Sequence, residues 1–520
     1  MVAPSSLLGL YALFSSGPVG RQRYKPRQGG GGGGSGGRSG RGGAGRSRGR
    51  GGRGGNKKRG GDSRGDWSTQ SRTDAPLPAL TSATSPRPSY FTARLTYEDA
   101  LIEELHRHLG CTLGGKGAID RISIQTPHPG LVCLEDAKID VTQVLPGSDD
   151  FTYALQSIPD CVVVKAESIK GLATAIMDAL LDQDDERAAT IQAQLWSAPR
   201  GSLSVHSLVP QMGRGVPEPQ MMRRSSKVAE EVAAQMKKIC PAARPAREEE
   251  EENSDDIDQQ KWLLQILLLE PEVAAASLTQ CTTSAQTLPC SWTWPNWSLP
   301  AGLAKVDIEQ EMPSSAYRKL LESFWYMGDR PPVDGPHVPP VVDLGASPGG
   351  WTGALRLMGC RVLSVDRSPL DDNLMNDELV EFVEGDAFKF IPPWVEEHSV
   401  TLDAPPDNSW MVSDIIAYPE RVVELLEDWC GKRWVSRVVI TCKFQGKEVP
   451  WAELQRAEAA AQGHGYACKT KHFFNNKNEV TLMAIDENCT SEAAVKDPLM
   501  GVPMYPAAMI GGKIAKSKKK

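Results

Sequence analysis

The sequence contains no run of eighteen or more apolar residues. It therefore offers no segment long enough to cross a bilayer as a helix. Paired cysteine spacing is also missing. The eleven cysteines are scattered, with no CxxC pair and no Cys/His cluster at zinc-ligand spacing. Reduced thiols in an intracellular protein are expected, and no metal site. The apolar start, MVAPSSLLGLYALFSSG, lacks the positive n-region of a secretory signal. The next residues are rich in Arg, Gly and Ser and poor in acids. That pattern fits an organelle transit peptide and an RNA-binding tail equally, so nucleolus, cytoplasm and organelle all stay open.

What is present is charge, unevenly placed. The 520 residues carry a net charge of −7 and are 40% hydrophobic. Yet Arg21 to Arg64 holds fourteen Lys or Arg against one acid, Asp62. An acidic block, EEEEENSDD, fills 248–256, and the last residues read KIAKSKKK. Such separation speaks about partners more than the sum does. Arginines spaced by glycines over 25–66 cannot offset their conformational entropy by burial, so 1–88 is expected to be disordered. They can meet phosphates and stack on bases without a fixed fold.

Order is expected from Ser89. SYFTARLTYE reads as a strand and DALIEELHRHLG as an amphipathic helix ended by Gly110, with Leu101, Ile102, Leu105 and Leu109 on one face. DRISIQT, GLVCLED and DCVVVKA read as strands and SIKGLATAIMDALL as a helix, which makes 89–200 a small α+β domain. A second unit spans 201–300. GSLSVHSLVP reads as a strand, and SSKVAEEVAAQMKKIC as a helix with Val228, Val232 and Met236 inward. KWLLQILLLE fits a buried strand or a short helix, and 241–258 reads as a solvated loop. Trp292, Trp294 and Trp297 fit packing against a neighbour better than stacking on bases.

From 301 to 487 strands alternate with helical patterns, the signal of an α/β fold with a mostly parallel, doubly wound sheet. VVDLG, CRVLSVD, SWMVSDI and SRVVITCK read as its strands. YACKTKHFF and NEVTLMAID flank an Asn-rich turn and read as an antiparallel hairpin. Residues 488–520 read as a weakly structured basic tail.

Chemistry concentrates around VVDLGASPGGWTG. A buried strand ends at Asp343, Gly345 begins a tight turn, and Ser347, Pro348, Gly349 and Gly350 lead into a helix near Trp351. Glycines there let a ligand approach the backbone at a strand's carboxyl end. The GxxxxGK[ST] pattern of a P-loop is absent. Asp366 closes the next strand about twenty residues on, where such folds bind ribose hydroxyls. Asp386, in VEGDAF, is placed to meet an adenine amino group. An Asp at a strand end also serves as a cap, and that alternative stands for both.

DLGASPGGWTGAL followed by VLSVDRSPL resembles the FtsJ-like family of RNA ribose 2′-O-methyltransferases. The resemblance implies a Rossmann-like sheet with a late antiparallel strand, S-adenosyl-L-methionine as cofactor, and a Lys-Asp-Lys-Glu catalytic set. PSSAYRKLLESF supplies Lys319, with Ser315 where the family often has Arg. SWMVSDI supplies Asp414, RVVITCKF supplies Lys443, and NKNEVTLMAI supplies Glu479.

The chemistery of such a reaction sets the demand on these residues. A ribose hydroxyl is a poor nucleophile, so the protein must align it with the methyl donor and remove a proton. Lys443 is the expected base, Lys319 the neighbouring cation, and Asp414 and Glu479 the groups that orient the ammonium groups. Within the family the bacterial large-subunit rRNA cytidine enzymes are similar over roughly 90–487. They carry a ferredoxin-like domain and a THUMP domain ahead of the catalytic domain. YFTARLTYEDALIEELHRHLG, SVHSLVPQMGRGVPEPQMMRRSSKVAEEV, WLLQILLLE and KTKHFFNNKNEVTL carry that likeness. It implies RNA, and ribosomal RNA first, as partner. Arg223, Arg224 and Lys227 fit either part of an RNA surface or, more simply, a solvated helix start. An mRNA cap or tRNA ribose, or a non-catalytic RNA-binding role, stay as alternatives.

Overall fold

The computed structural model describes residues 87–112, 123–135, 151–210, 219–245, 261–281, 302, 304–306, 312–395, 401–446, 448–489 and 504–506. The Gly/Arg segment, the acidic block and the three tryptophans of 292–297 lie outside these residues. No described helix is long and apolar enough to cross a membrane.

Four short strands open the fold: β1 (Ser89–Thr92), β2 (Ser123–His128), β3 (Leu131–Glu135) and β4 (Gln156–Ile158). They form an antiparallel sheet in the order β2-β3-β1-β4. Helix α1 (Glu98–Thr112) buries Leu101, Leu105 and Leu109. The run expected as one long first strand is cut at Thr92, and Thr96 has a φ of 74°. The helix continues past Gly110 to Thr112.

A second sheet has the order β5-β8-β7-β6, from β5 (Val162–Lys165), β6 (Leu203–Leu208), β7 (Lys261–Glu270) and β8 (Val273–Cys281). KWLLQILLLE is therefore a strand, and Trp262 to Leu269 lie buried around Gln265. Helices α2 (Ile169–Leu180), α3 (Glu186–Ser197) and α4 (Pro219–Ile239) accompany this sheet. Leu172 and Ile176 of α2 share one apolar cluster with Val228, Val232 and Met236 of α4 and Leu264 of β7. The expected boundary at 200 differs from this pairing. β5 joins β8, Val162 opposite Ala276, so the two sheets divide near Asp160. A sequence window cannot see a partner more than a hundred residues away.

The third sheet has seven strands: β10 (Val341–Leu344), β11 (Val362–Asp366), β12 (Val380–Glu384), β13 (Trp410–Ser413), β14 (Arg437–Lys443), β15 (Tyr466–Lys471) and β16 (Glu479–Asp486). Their order is β12-β11-β10-β13-β14-β16-β15. The first five run parallel, and β16 lies antiparallel between β14 and β15. Two-residue periodicity sorts the side chains. Val438, Ile440, Cys442, Leu482 and Ala484 face one apolar layer, and Val439, Met483 and Ile485 the other. Helices α8 (Pro419–Trp429) and α9 (Trp451–Gly463) cover the first face. Helices α5 (Tyr317–Met327) and α6 (Gly350–Leu357) cover the second. A short helix α7 (Asp372–Met375) follows β11. Backbone pairing also joins β9 (Ala304–Val306) to β17 (Met504–Pro506), inside the stretch expected to be a weakly structured tail.

The first sheet and the seven-stranded sheet share one core. Phe91, Leu101, Leu105 and Phe151 lie in the same buried cluster as Trp451, Leu454 and Leu482. Leu105→Ala is expected to cost about 2–5 kcal/mol. Its unfolding should stay a single transition, with amide exchange in β14 and β16 accelerated alongside α1. Unchanged exchange in β14 and β16 would show two independent cores.

Candidate active site

The chain passes from β12 back across the sheet to β13, so the strand order reverses between β10 and β13. Ligands bind open α/β sheets at the carboxyl ends of the strands flanking such a reversal. Leu344 pairs with Ser413. The glycine turn after β10 and Asp414 after β13 thus emerge side by side.

The turn is shaped for close approach. Gly349 has a φ of 108°, and a Cβ there would collide with the Leu374 side chain. Asp343 is buried at 1% exposure and accepts from Thr352 Oγ1 at 2.7 Å, which pins β10 to α6. Thr352 Oγ1 also lies 2.9 Å from Ser364 Oγ on β11. Burial pushes the Asp343 carboxyl up to about 7. Asp366 Oδ2 accepts from Ser347 N at 3.0 Å and its Oδ1 from Ser368 N at 2.9 Å. Asp386 caps a single 3-10 turn through Phe388 N at 3.1 Å and meets Arg367 Nη2 at 2.8 Å. The Phe388 amide above all, helped by the Arg367 guanidinium, holds its carboxyl below the usual range against the opposing effect of burial. Both carboxylates thus do the local capping work that a strand-end Asp commonly does.

These groups surround a cleft of about 520 Å³. Asp343, Gly345, Ser347, Pro348, Gly350, Trp351, Asp366, Asp386, Asp414 and Lys443 line it. Gly349 does not; it sets the backbone turn instead. Sequence reasoning missed several further lining residues, among them Ser314, Phe388 and Ile415. Ser314 stands in the segment before α5, and Phe388 and Ile415 each follow a chosen Asp within two residues. The Trp351 indole points elsewhere, donating from Nε1 to Ala316 O at 2.9 Å, and so ties α6 to the start of α5.

Lys319, Asp414, Lys443 and Glu479 meet at the edge of this cleft. Asp414 Oδ1 lies 2.7 Å from Lys319 Nζ and 3.1 Å from Lys443 Nζ. Lys319 Nζ reaches Glu479 Oε1 at 3.0 Å. Lys443 Nζ also donates to the Asp414 carbonyl at 2.6 Å. Lys443 and Glu479 are register partners on β14 and β16. Lys443, 21% exposed, faces the cleft, while Lys319 and Glu479, at 7% and 10%, stand behind it.

Two further residues support the cluster. Thr441 Oγ1 donates to Asp414 Oδ1 at 2.8 Å. It sits two residues before Lys443 on the same strand face, a spacing that period-two reasoning could have flagged. Glu322, one turn after Lys319, accepts from Phe474 N and Asn475 N, both at 3.0 Å. It is 1% exposed, and burial raises its carboxyl to about 7. An acid on an otherwise apolar helix face was the available signal. Away from the site, Arg224 is committed internally: its guanidinium donates to the carbonyls of Pro271 and Glu167. Of the three basic residues proposed for an RNA surface, Arg223 and Lys227 remain exposed.

Residues 317–484 match the model of the FtsJ-like methyltransferase family. The match begins with α5 and ends within β16, so it contains the glycine turn and all four clustered residues. Residues 317–484 are an FtsJ-like methyltransferase domain. The "Ribosomal RNA large subunit methyltransferase M" of Laribacter hongkongensis is 32% identical over 199 residues, covering 36% of this chain and 52% of that protein. The protein of the same name from Marinomonas sp. is 30% identical over 191 residues, covering 35% and 51%. The chain spans about half the length of these curated relatives. Among solved structures, Aeropyrum pernix fibrillarin with bound S-adenosyl-L-methionine is 15% identical, with a TM-score of 0.22 over 43% of this chain and 82% of that one. A TehB-like SAM-dependent methyltransferase from Corynebacterium glutamicum is 17% identical, with a TM-score of 0.21 over 29% and 82%.

Asp343 makes a pH prediction. Its folded pKa of about 7 lies above the unfolded value of about 3.9. Its contribution to stability is therefore fully present below about pH 4 and is lost as pH rises through about 7. The stability of wild type relative to Asp343→Asn should fall between pH 5 and pH 8 in denaturant titrations. A difference that is flat or rises with pH contradicts the assignment.

Proposed function

We propose that this chain transfers a methyl group from S-adenosyl-L-methionine to a ribose 2′-hydroxyl in RNA, with ribosomal RNA as the substrate class. The observation that carries this reading is the Lys319–Asp414–Lys443–Glu479 cluster at the edge of the glycine-turn cleft. The names of the relatives support the choice of ribosomal RNA.

The cleft fits the cofactor chemically. Gly345 leaves the backbone open where a Cβ would come within 3.0 Å of Ile415. Asp366 and Asp386 offer carboxylates toward ribose and adenine, and Phe388 and Ile415 add apolar surface. Bound S-adenosyl-L-methionine supplies an electrophilic methyl on a sulfonium. The protein's own part is to hold the hydroxyl in line and take up its proton. Lys443, the lysine that lines the cleft, is the base. Asp414 fixes its Nζ through both a carboxylate oxygen and the backbone carbonyl. Lys319 stays between Asp414 and Glu479 and keeps Asp414 from turning away.

Lys443→Ala should lower methyl transfer to RNA by about 10²–10⁴-fold, the usual worth of a general base. Cofactor affinity measured by calorimetry should barely change. An active Lys443→Ala enzyme would sink the assignment. Asp366→Ala should weaken cofactor binding about ten- to a hundredfold, the loss of hydrogen bonds to a charged group. Undiminished binding would remove Asp366 from the cofactor site. Mapping ribose methylation in cells lacking the protein tests the substrate. A missing mark on large ribosomal RNA supports the reading, a missing mark on tRNA or an mRNA cap replaces the substrate, and no missing mark on any RNA overturns it.

A further inference from the structure

The loop between β15 and β16 ends at Glu479, and the N-terminal unit grips β15 and that loop through Tyr97 and segment 151–154. His472 N donates to Thr152 O at 2.7 Å. Lys471 Nζ donates to Ala154 O at 2.9 Å and to the Phe151 carbonyl. Segment 151–154 is itself fixed to α1, because Glu104 accepts from Thr152 N at 2.6 Å and Tyr153 N at 2.9 Å. The Tyr97 and His472 rings meet at 4.1 Å, and Tyr153 stacks on His472 at 5.0 Å.

Within this grip one chain of contacts runs into the catalytic cluster. Tyr97 OH donates to Lys477 O at 2.6 Å. Lys477 N donates to Glu479 Oε1 at 3.2 Å. The same Oε1 holds Lys319 Nζ at 3.0 Å. His472 Nε2 shares the Lys477 carbonyl at 2.9 Å. Burial pushes the His472 ring down to about 3, so it is neutral at pH 7 and donates from Nε2. The Lys477 carbonyl is therefore held by two donors, and the N–H on the other side of the same Cα meets Glu479, so the two donors steady the residue whose amide reaches the carboxylate. Arg94, three residues before Tyr97, lies within Coulombic range of Glu479 and Glu322.

We infer that Tyr97 is a positioning residue for the methyl-transfer reaction, steadying Glu479 through the backbone of Lys477, so that the N-terminal unit completes the catalytic centre. This rests on the methyltransferase reading above. It makes the N-terminal unit more than a separate RNA grip, because its removal or displacement would loosen the Lys319–Glu479 pair directly.

The test uses the full chain, S-adenosyl-L-methionine and an RNA substrate that the wild type methylates in single-turnover assays. Tyr97→Phe keeps the ring packing and removes one donor. It should lower the chemical rate about three- to tenfold, the worth of one hydrogen bond. KM for RNA, cofactor affinity and melting temperature should stay at wild-type values. In a Glu479→Gln background the same substitution should have a smaller effect, since both act through one oxygen. A wild-type rate in Tyr97→Phe, a rise in KM alone, or an equal fold-loss in the Glu479→Gln background each overturns the inference. Lys477→Pro, which deletes the amide donor without touching Tyr97, gives a second reading: it should abolish the Tyr97→Phe effect, and an effect that persists also overturns the inference. A wild-type chain that methylates no RNA overturns the methyltransferase reading and this inference with it.

Discussion

One carboxylate oxygen organises the candidate active site. Asp414 Oδ1 receives Lys319 Nζ, Lys443 Nζ and Thr441 Oγ1 at once. A carboxylate offers about four acceptor sites over two oxygens, so three donors on one oxygen leave it little freedom to turn. Lys319, 7% exposed, shares that oxygen with Lys443 and needs a second acceptor. Glu479 supplies it by taking the far side of Lys319. The four residues come from α5, the end of β13, the end of β14 and the start of β16. A one-residue slip of β16 against β14 would put Glu479 on the opposite face and leave Lys319 short of a partner.

That dependence explains the investment in register. β14 and β16 pair over seven residues, from Arg437↔Ile485 to Lys443↔Glu479. Their apolar side chains alternate between two cores, so slipping by one residue would expose both sets. Burial thus fixes the register, and the register fixes the chemistry. On the other side of the cleft the same logic holds with polar atoms. Asp343, Thr352 and Ser364 form a buried chain across β10, α6 and β11. It holds the glycine turn at the cost of a carboxyl whose charged form is disfavoured.

Some of this could be read from residues alone, because its signals are local. Alternation marked β10, β11, β13 and β14, and Gly349 and Gly350 marked a turn that only small residues fit. Lys319, Asp414, Lys443 and Glu479 were legible only as a set in a resembling family's order, since each alone is an ordinary strand-end or surface residue. What stayed hidden depends on distant partners. Thr441, Glu322 and Tyr97 gain their roles from contacts across the sheet or across units. The joining of β5 to β8 spans more than a hundred residues and moved the division between the first two sheets. Asp366 and Asp386 show a different limit. Their cap and cofactor readings do not exclude each other, because a carboxylate that holds a loop with one lone pair keeps others for a ligand.

If the proposed reading holds, an active site that reads a single ribose is nearly blind to sequence, and RNA choice must come from another surface. In many such arrangements the reading surface need only hold its RNA near the catalytic domain. Here the first sheet is not free to act as a tether. Its unit shares a core with β14 and β16 through Phe91, Leu101 and Phe151, and the Phe151 and Ala154 carbonyls ahead of β4 take up the Lys471 ammonium. Lys471 is 3% exposed, so separating the units would break the hydrogen bonds that these carbonyls accept from a buried ammonium. The energetic penalty for separation falls on the very strand that leads into the Glu479 loop. A substrate held on the N-terminal side would therefore be coupled mechanically to the Lys319–Glu479 pair. On the proposed reading, such coupling suits an enzyme that must recognise one place in a large folded RNA and act nowhere else.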